Sequence, residues 1–213
     1  MLVLVRHGQS EANAAGLLVG RADSFLTELG QRQAEAIGRV VALAARPTTV
    51  IYTSPLVRAA QTARAIALAC ADVLSATNGR GVPPQVVVER RFIELDYGEL
   101  DGTAPSALPP GLWDNWVSDS SFRPPGGETL LEVTERVNPA LESLAVQAAS
   151  GDVIIVSHVS PIKAAVAWAL GSGPELAWRL SLGVASITRI ATNGPRGPSL
   201  ISFNETSHLA GIR

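Results

Sequence analysis

Two short apolar runs that stop abruptly at histidines limit the architecture of this chain more than any other feature. LVLV at 2–5 runs into Arg6, His7 and Gly8, and VIIV at 153–156 runs into Ser157 and His158. A run of aliphatic, largely β-branched residues ending at polar ones reads as a strand buried on both faces, as in a parallel sheet. Ligands of such sheets sit beyond the carboxyl ends of the strands. His7 and His158 therefore fall where chemistry is done, and core packing would not require two of the chain's three histidines to occupy equivalent places. A histidine at a strand end is nevertheless more often a hydrogen-bonded structural group than a catalyst.

The rest of the chain alternates between helix and strand patterns. Residues 26–45 have helical spacing with Thr27 as N-cap, and 48–53 read as a second strand. Ser54 and Pro55 open a helix through about Cys70, 75–84 is a loop and 86–92 a third strand. A long helix over 127–149, disturbed at Pro139, leads to a fourth strand at 152–157 and a helix over 161–170. Segments 184–191 and 200–204 read as a hairpin-like pair. The expected fold is α/β, a mainly parallel sheet with helices on both faces. With 213 residues and neither repeats nor low-complexity blocks, one domain over 1–213 suffices.

Composition removes several function classes. A formal charge of −2 without a basic cluster argues against nucleic acid as a partner. Lys163 is the only lysine, so the positive charge is nearly all arginine. The single Cys70 offers no disulfide framework and fits a reducing compartment. No apolar run approaches a membrane span and the first residues lack signal-peptide flanks, so a cytoplasmic protein without membrane partners is expected.

The other strand exits add charge. Arg58 falls in the first turn of the helix beyond the second strand, facing the same crevice as Arg6. Most helix arginines are simply solvated, yet two guanidinium forks flanking a histidine suit a phosphoryl group, and a helix amino terminus adds its own attraction for an anion. Beyond the third strand stands Glu94. An imidazole attacking a phosphoester leaves an alkoxide to be protonated, and a nearby carboxylic acid can do that. The reference pKa of glutamate, about 4.3, would have to be raised for the task. Alternation points Asp96 the same way as Glu94, so spacing leaves it as a rival; Glu99 and Asp101 read as surface charges.

These residues resemble the histidine phosphatase superfamily, which includes the cofactor-dependent phosphoglycerate mutases. The resemblance rests on LVRHGQSEAN, GRADSFLTELGQRQA, TSPLVRAAQTA, FIELDYGELDG, PPGGET and VIIVSH in that order, with FNETSHL at the close. It implies a three-layer α/β/α sandwich. It makes His7 the nucleophile that becomes phosphohistidine, lines the phosphate pocket with Arg6, Arg58 and His158, and makes Glu94 the proton donor. It also sets Gly8, Asn13, Gly20, Arg21 and Val159 against the substrate. Two departures touch substrate identity: Val159 stands where the family often has glycine, and Val19 where relatives often have a hydroxyl.

The segment 102–126 bears on hydrolysis against transfer. The family's mutases carry a much longer, arginine-bearing insertion there. This chain has Trp113, Trp116 and Phe122 with Arg123 as the segment's only base. The aromatics either pack the loop down or form a short lid over an alcohol of modest charge. A second anion clamp is poorly supplied either way, so water is the expected acceptor. His208 lacks a strand or carboxylate context and reads as a structural or surface residue, and no metal-ligand spacing is present. The resulting expectation is a phosphomonoesterase acting on a small phosphate monoester through phosphohistidine, with no cofactor and no metal; a homodimer is allowed. The alternatives are a mutase, an α-ribazole-phosphatase-like activity and a non-catalytic phosphate-binding relative.

Overall fold

The structure, a computed structural model, describes residues 1–46, 49–78 and 81–212, with backbone alone at 78. Its elements in chain order are β1 (Leu2–Arg6), α1 (Glu11–Ala14), α2 (Glu28–Val41), β2 (Val50–Thr53), α3 (Val57–Asn78), β3 (Gln85–Val88), α4 (Leu112–Ser118), α5 (Leu130–Ala148), β4 (Val153–Ser157), α6 (Val159–Leu170), β5 (Ile187–Ala191) and β6 (Ser199–Glu205). One sheet runs β3-β2-β4-β1-β5-β6. The first four strands in that order are parallel, whereas β5 lies antiparallel to β1 and β6 antiparallel to β5.

The strand pleat divides the apolar residues between two cores. Val3 and Val5, with Ile51, Ile154 and Val156, pack against Ile37 and Val41 of α2 and Ala59, Ala63 and Ile66 of α3. On the other face Leu2, Leu4, Val153 and Ile155 meet Val133, Val137 and Leu141 of α5 and Ile162 and Ala165 of α6. Period-2 alternation with both sides covered is why the runs in β1 and β4 are continuously apolar. The connection leaving β1 covers one face and that leaving β4 the other, although the two strands are neighbours. Such a reversal opens a crevice between the strand ends. Arg6 pairs with Ser157 at the last rung, so His7 and His158 lie one residue beyond it.

Element boundaries depart from the sequence reading where side chains intervene. Thr27 caps α2 by accepting from the Gly30 N–H, as expected, but the helix tightens into a 3-10 turn at Ala42–Ala44. Position 48 of the second strand lies outside the described residues, as do 79 and 80 of the expected loop. The helix expected to stop near Cys70 continues to Asn78, and the expected loop therefore begins later. The third strand ends at Val88 rather than 92. There the Glu89 carboxylate accepts the Arg91 N–H and starts a 3-10 turn at Arg90–Phe92. α5 opens with a reciprocal capping box between Thr129 and Glu132 and passes through Pro139 unbroken. Buried Val133 and Val137 before the proline and Leu141 and Leu144 after it hold both halves against the core.

Candidate active site

Backbone groups hold Arg6, His7, Arg58 and Glu94 at the crevice. The buried His7 ring sets Nδ1 2.7 Å from the Gly8 carbonyl, which accepts its proton, while Nε2 receives the Arg58 Nε–H at 3.2 Å. That pairing puts the proton on Nδ1 and the lone pair on Nε2. The Gly8 N–H donates to Thr62 Oγ1 at 3.2 Å, and a Cβ at Gly8 would lie 2.3 Å from the Gly30 carbonyl oxygen. Glycine is required there for backbone approach, and the residue orients His7 with both of its own polar groups already engaged.

Arg58 is 1% exposed. Its two terminal nitrogens donate to the carbonyls of Ala22 at 2.9 Å and Gly20 at 2.7 Å. The N–H groups of the same two residues donate to Asp101, both at 2.8 Å. Asp101, expected as a surface charge, thus pins the loop that holds Arg58, whereas Glu99 is exposed as expected. Arg6 donates to the Leu182 carbonyl. His158 is fully buried with Nε2 2.7 Å from Ser54 Oγ, and its ring centroid lies 5.0 Å from that of His7. Among the described residues Arg6 Nε and His158 Nδ1 are buried without hydrogen-bond partners. A ligand rich in oxygen acceptors would relieve that cost.

Glu94, two residues beyond the 3-10 turn Arg90–Phe92, is 3% exposed and turns its carboxylate to the first N–H groups of α6. Its Oε1 accepts the Leu95 and Ser160 N–H groups at 2.8 and 3.1 Å, and Oε2 accepts that of Val159 at 3.0 Å. The Glu94 carbonyl is gripped by Arg136 at 3.3 Å, whose guanidinium is itself held by Glu128 at 2.8 Å. Asp96 does not join the cluster: it pairs with Arg21 at 3.0 Å and accepts the Gly98 N–H at 2.9 Å. The turn after Glu94 breaks the alternation that spacing suggested.

Burial, with Arg58 and then Arg6 adding like-charge repulsion, lowers the His7 pKa well below its ordinary value. His158 is lowered by burial, then by His7 and the arginines. Both rings are therefore neutral near pH 7. Burial also draws the two guanidinium groups down, opposed chiefly by Glu94. Two arginines and one carboxylate leave the cluster with an excess positive charge, suited to a tetrahedral dianion. Cys70 takes no part: it is buried, and desolvation pushes its thiol up to about 11.

Beside Gly8 and Gly20, three more of the residues expected to contact substrate have polar groups engaged within the protein. Arg21 is held by Asp96 and by Glu128 at 3.2 Å. The Val159 N–H serves Glu94, and Val159 adopts ordinary helical backbone that needs no glycine. Asn13 closes a capping box with Ser10 through Oδ1 at 3.2 Å. His208 is structural, donating to the Ala185 carbonyl at 2.9 Å; Ala185 has φ 58°, and its N–H donates to the His7 carbonyl at 3.0 Å. Among the described residues no group of three or more His, Cys, Asp or Glu side chains is arranged to hold a metal ion, and no helix is long and apolar enough to cross a membrane.

A cavity of about 280 Å³ adjoins the cluster, bounded by Leu95, Val159, Ser160, Lys163 and three tryptophans, Trp113, Trp116 and Trp178. Trp116 is 2% exposed and meets Tyr97 and Trp113 edge-on, with centroids 5.4 and 6.0 Å apart. Trp113 also meets Trp178, at 5.7 Å. The aromatics of α4 both pack the segment down and wall a cavity. Ser54 and Asp101 carried a sequence signal only as a helix cap and a surface acid. Trp178 carried none, because its partners lie far away in the chain.

The family model of the histidine phosphatase superfamily (branch 1) matches residues 2–206. A protein of Hydrogenobacter thermophilus described as a putative phosphoserine phosphatase 2 is 33% identical over 211 residues, covering 97% of this chain and 96% of that one. A bifunctional protein of Mycobacterium tuberculosis is 32% identical over 98% of this chain, which spans 54% of that protein's length. Among solved structures, a mutant phosphoserine phosphatase of Entamoeba histolytica in complex with phosphoserine superposes with TM-score 0.82 at 26% identity, covering 98% of both chains. A mycobacterial glucosyl-3-phosphoglycerate phosphatase in complex with VO3 gives 0.80 at 27% identity, covering 96% of this chain and 98% of that one.

Proposed function

Because this chain belongs to the histidine phosphatase superfamily, we propose that it hydrolyses a small phosphate monoester through a phosphohistidine on His7. The observation that carries this reading is the neutral, buried His7 with Nδ1 bound to the Gly8 carbonyl and Nε2 turned to Arg58. Relatives described as phosphatases of phosphoserine and glucosyl-3-phosphoglycerate support it.

Nε2 attacks phosphorus and forms the N–P bond as the P–O bond to the alcohol breaks. Arg6 and Arg58 neutralise the charge on the phosphoryl oxygens, and positioning supplies much of the acceleration. Ser54 Oγ accepts the Leu56 N–H at 3.3 Å and can donate its own proton to His158 Nε2. The His158 proton then sits on Nδ1, available to a phosphoryl oxygen. Glu94 Oε2 accepts one backbone N–H, so it retains a lone pair that can carry a proton. That proton passes to the departing alkoxide. The carboxylate then takes one from the water that attacks phosphorus, the N–P bond breaks, and phosphate leaves.

A quenched turnover mixture should contain acid-labile, base-stable phosphate on His7, and His7→Ala should lose label and activity together. Full turnover by that variant would sink the mechanism. Hydrolysis is favoured over mutase chemistry because the arginines that could clamp a second phosphate are engaged, Arg21 by two carboxylates and Arg123 by Glu132 at 2.7 Å, which leaves one lysine, Lys163, where a mutase would need a multidentate clamp. Given 3-phosphoglycerate and a trace of 2,3-bisphosphoglycerate, the protein should release inorganic phosphate, if it reacts at all, rather than build up the 2-phospho isomer. It should do so equally in excess chelator, since guanidinium groups neutralise the charge. Rapid isomerisation without phosphate release would overturn this preference, and metal-restorable loss in chelator would overturn the arginine account.

A further inference from the structure

The cavity beyond Glu94 contains a cation that the hydrolysis does not use. Lys163, the chain's only lysine, lies three and four residues beyond Ser160 and Val159 on α6. That spacing puts the three on one helix face, and all three bound the same cavity. Among the described residues Lys163 forms no ion pair. The acid that acts on it most is Glu94, whose carboxylate already accepts three backbone N–H groups. Trp113, Trp116 and Trp178 bound the same cavity. A half-buried ammonium in a cavity bounded by aromatic side chains is costly until an anion joins it, and flat rings pack well against indole edges and faces. The volume, about 280 Å³, is at the small end of ligand pockets.

On the premise that the protein is a phosphatase, we infer that Lys163 selects the leaving group: the substrate is a phosphate ester of a hydroxy acid with a compact apolar or aromatic framework. The framework fills the tryptophan-lined cavity and its carboxylate pairs with Lys163. The phosphoryl group meanwhile lies between His7 and Arg58.

Benzyl phosphate and 4-carboxybenzyl phosphate test this, because their leaving oxygens are chemically alike and they differ in one carboxylate. The protein should prefer the carboxylated ester in kcat/KM on the order of 10- to 100-fold, the range of a charge-assisted hydrogen bond. Lys163→Met should collapse that ratio and Lys163→Arg should restore most of it. The ratio is insensitive to partial unfolding, which lowers both rates together. A ratio unchanged in Lys163→Met would mean that the lysine acts through Glu94 or the fold, and would overturn the assignment. Tryptophan fluorescence supplies a readout free of turnover: 4-(hydroxymethyl)benzoate should bind at least about tenfold more weakly to Lys163→Met than to the unaltered protein. Equal binding would overturn the subsite. Failure of every ester to react, with the binding difference intact, would instead count against the phosphatase reading.

Discussion

The phosphate end and the leaving-group end of the site are built on opposite principles. At the first, His7, Arg58, His158 and Glu94 issue from strand exits or helix starts, and each is tied to backbone or to a short side chain within 3.3 Å. At the second, the walls come from α4, from the 3-10 turn Pro174–Arg179 that carries Trp178, and from Val159, Ser160 and Lys163 of α6. Edge-on ring contacts replace directed hydrogen bonds there. On the proposed function, the first arrangement would fix the reaction and the second would fix which alcohol it is applied to. A scaffold divided this way can change substrate through one segment while leaving its chemistry in place.

The division breaks most visibly at Glu94, which stands at the junction of the two ends. Glu94→Gln should slow alkyl esters by roughly 10²- to 10⁴-fold, the range of general acid catalysis, and nitrophenyl phosphate far less, because a good leaving group needs little protonation. Equal losses on both esters would show that Glu94 serves the phosphate end alone. If the leaving-group-dependent loss appeared in Asp96→Asn instead, the acid would have been misassigned.

Asp101 gives a sharper and smaller test. Removing its carboxylate in Asp101→Ala frees the Gly20 and Ala22 N–H groups and loosens the carbonyls that hold Arg58. Activity should fall on the order of 10- to 100-fold, equally for good and poor leaving groups, since misplacement of one phosphate ligand is blind to the alcohol. A loss that varied with the alcohol would erase the boundary between the two ends.

The remaining effect is on stability, not on catalysis. His7 and His158 have pKa values lowered below their unfolded value of 6.5, so the unfolded chain binds more protons. Their contribution is complete above that pH and is lost as pH falls below it, by up to about 1.4 kcal/mol per pH unit for each ring. Urea unfolding between pH 6.5 and 5 should show this slope, and His7→Gln should reduce it. An unchanged slope would mean that His7 is not held neutral by its surroundings.

The same contrast explains what the amino-acid sequence disclosed. Strand exits announce themselves because an aliphatic run ends at a polar residue within one position, and five of the polar cluster's side chains were identified on that basis or through the family motifs. Roles that depend on a distant partner were not visible. Asp101 looks like any loop acid until Gly20 and Ala22 are brought beneath it, and Trp178 has no local pattern tying it to Trp113. Nor was it visible that some groups at motif positions have partners within the protein, as the Val159 N–H has in Glu94. The early helix stop near Cys70 failed because the alanine-rich pattern has no breaker before Asn78.

Arg58 has five N–H donors, of which three are committed to His7, Ala22 and Gly20. Its side chain is therefore frozen before any ligand arrives, although a free arginine loses up to roughly 2 kcal/mol of rotamer entropy when it is immobilised. That loss is incurred once, at folding, and is not repeated with each molecule bound. Two donors remain on a guanidinium already aimed, so oxyanion capture at this site should carry a small configurational penalty, and its temperature dependence should be governed by the release of water rather than by the ordering of the protein.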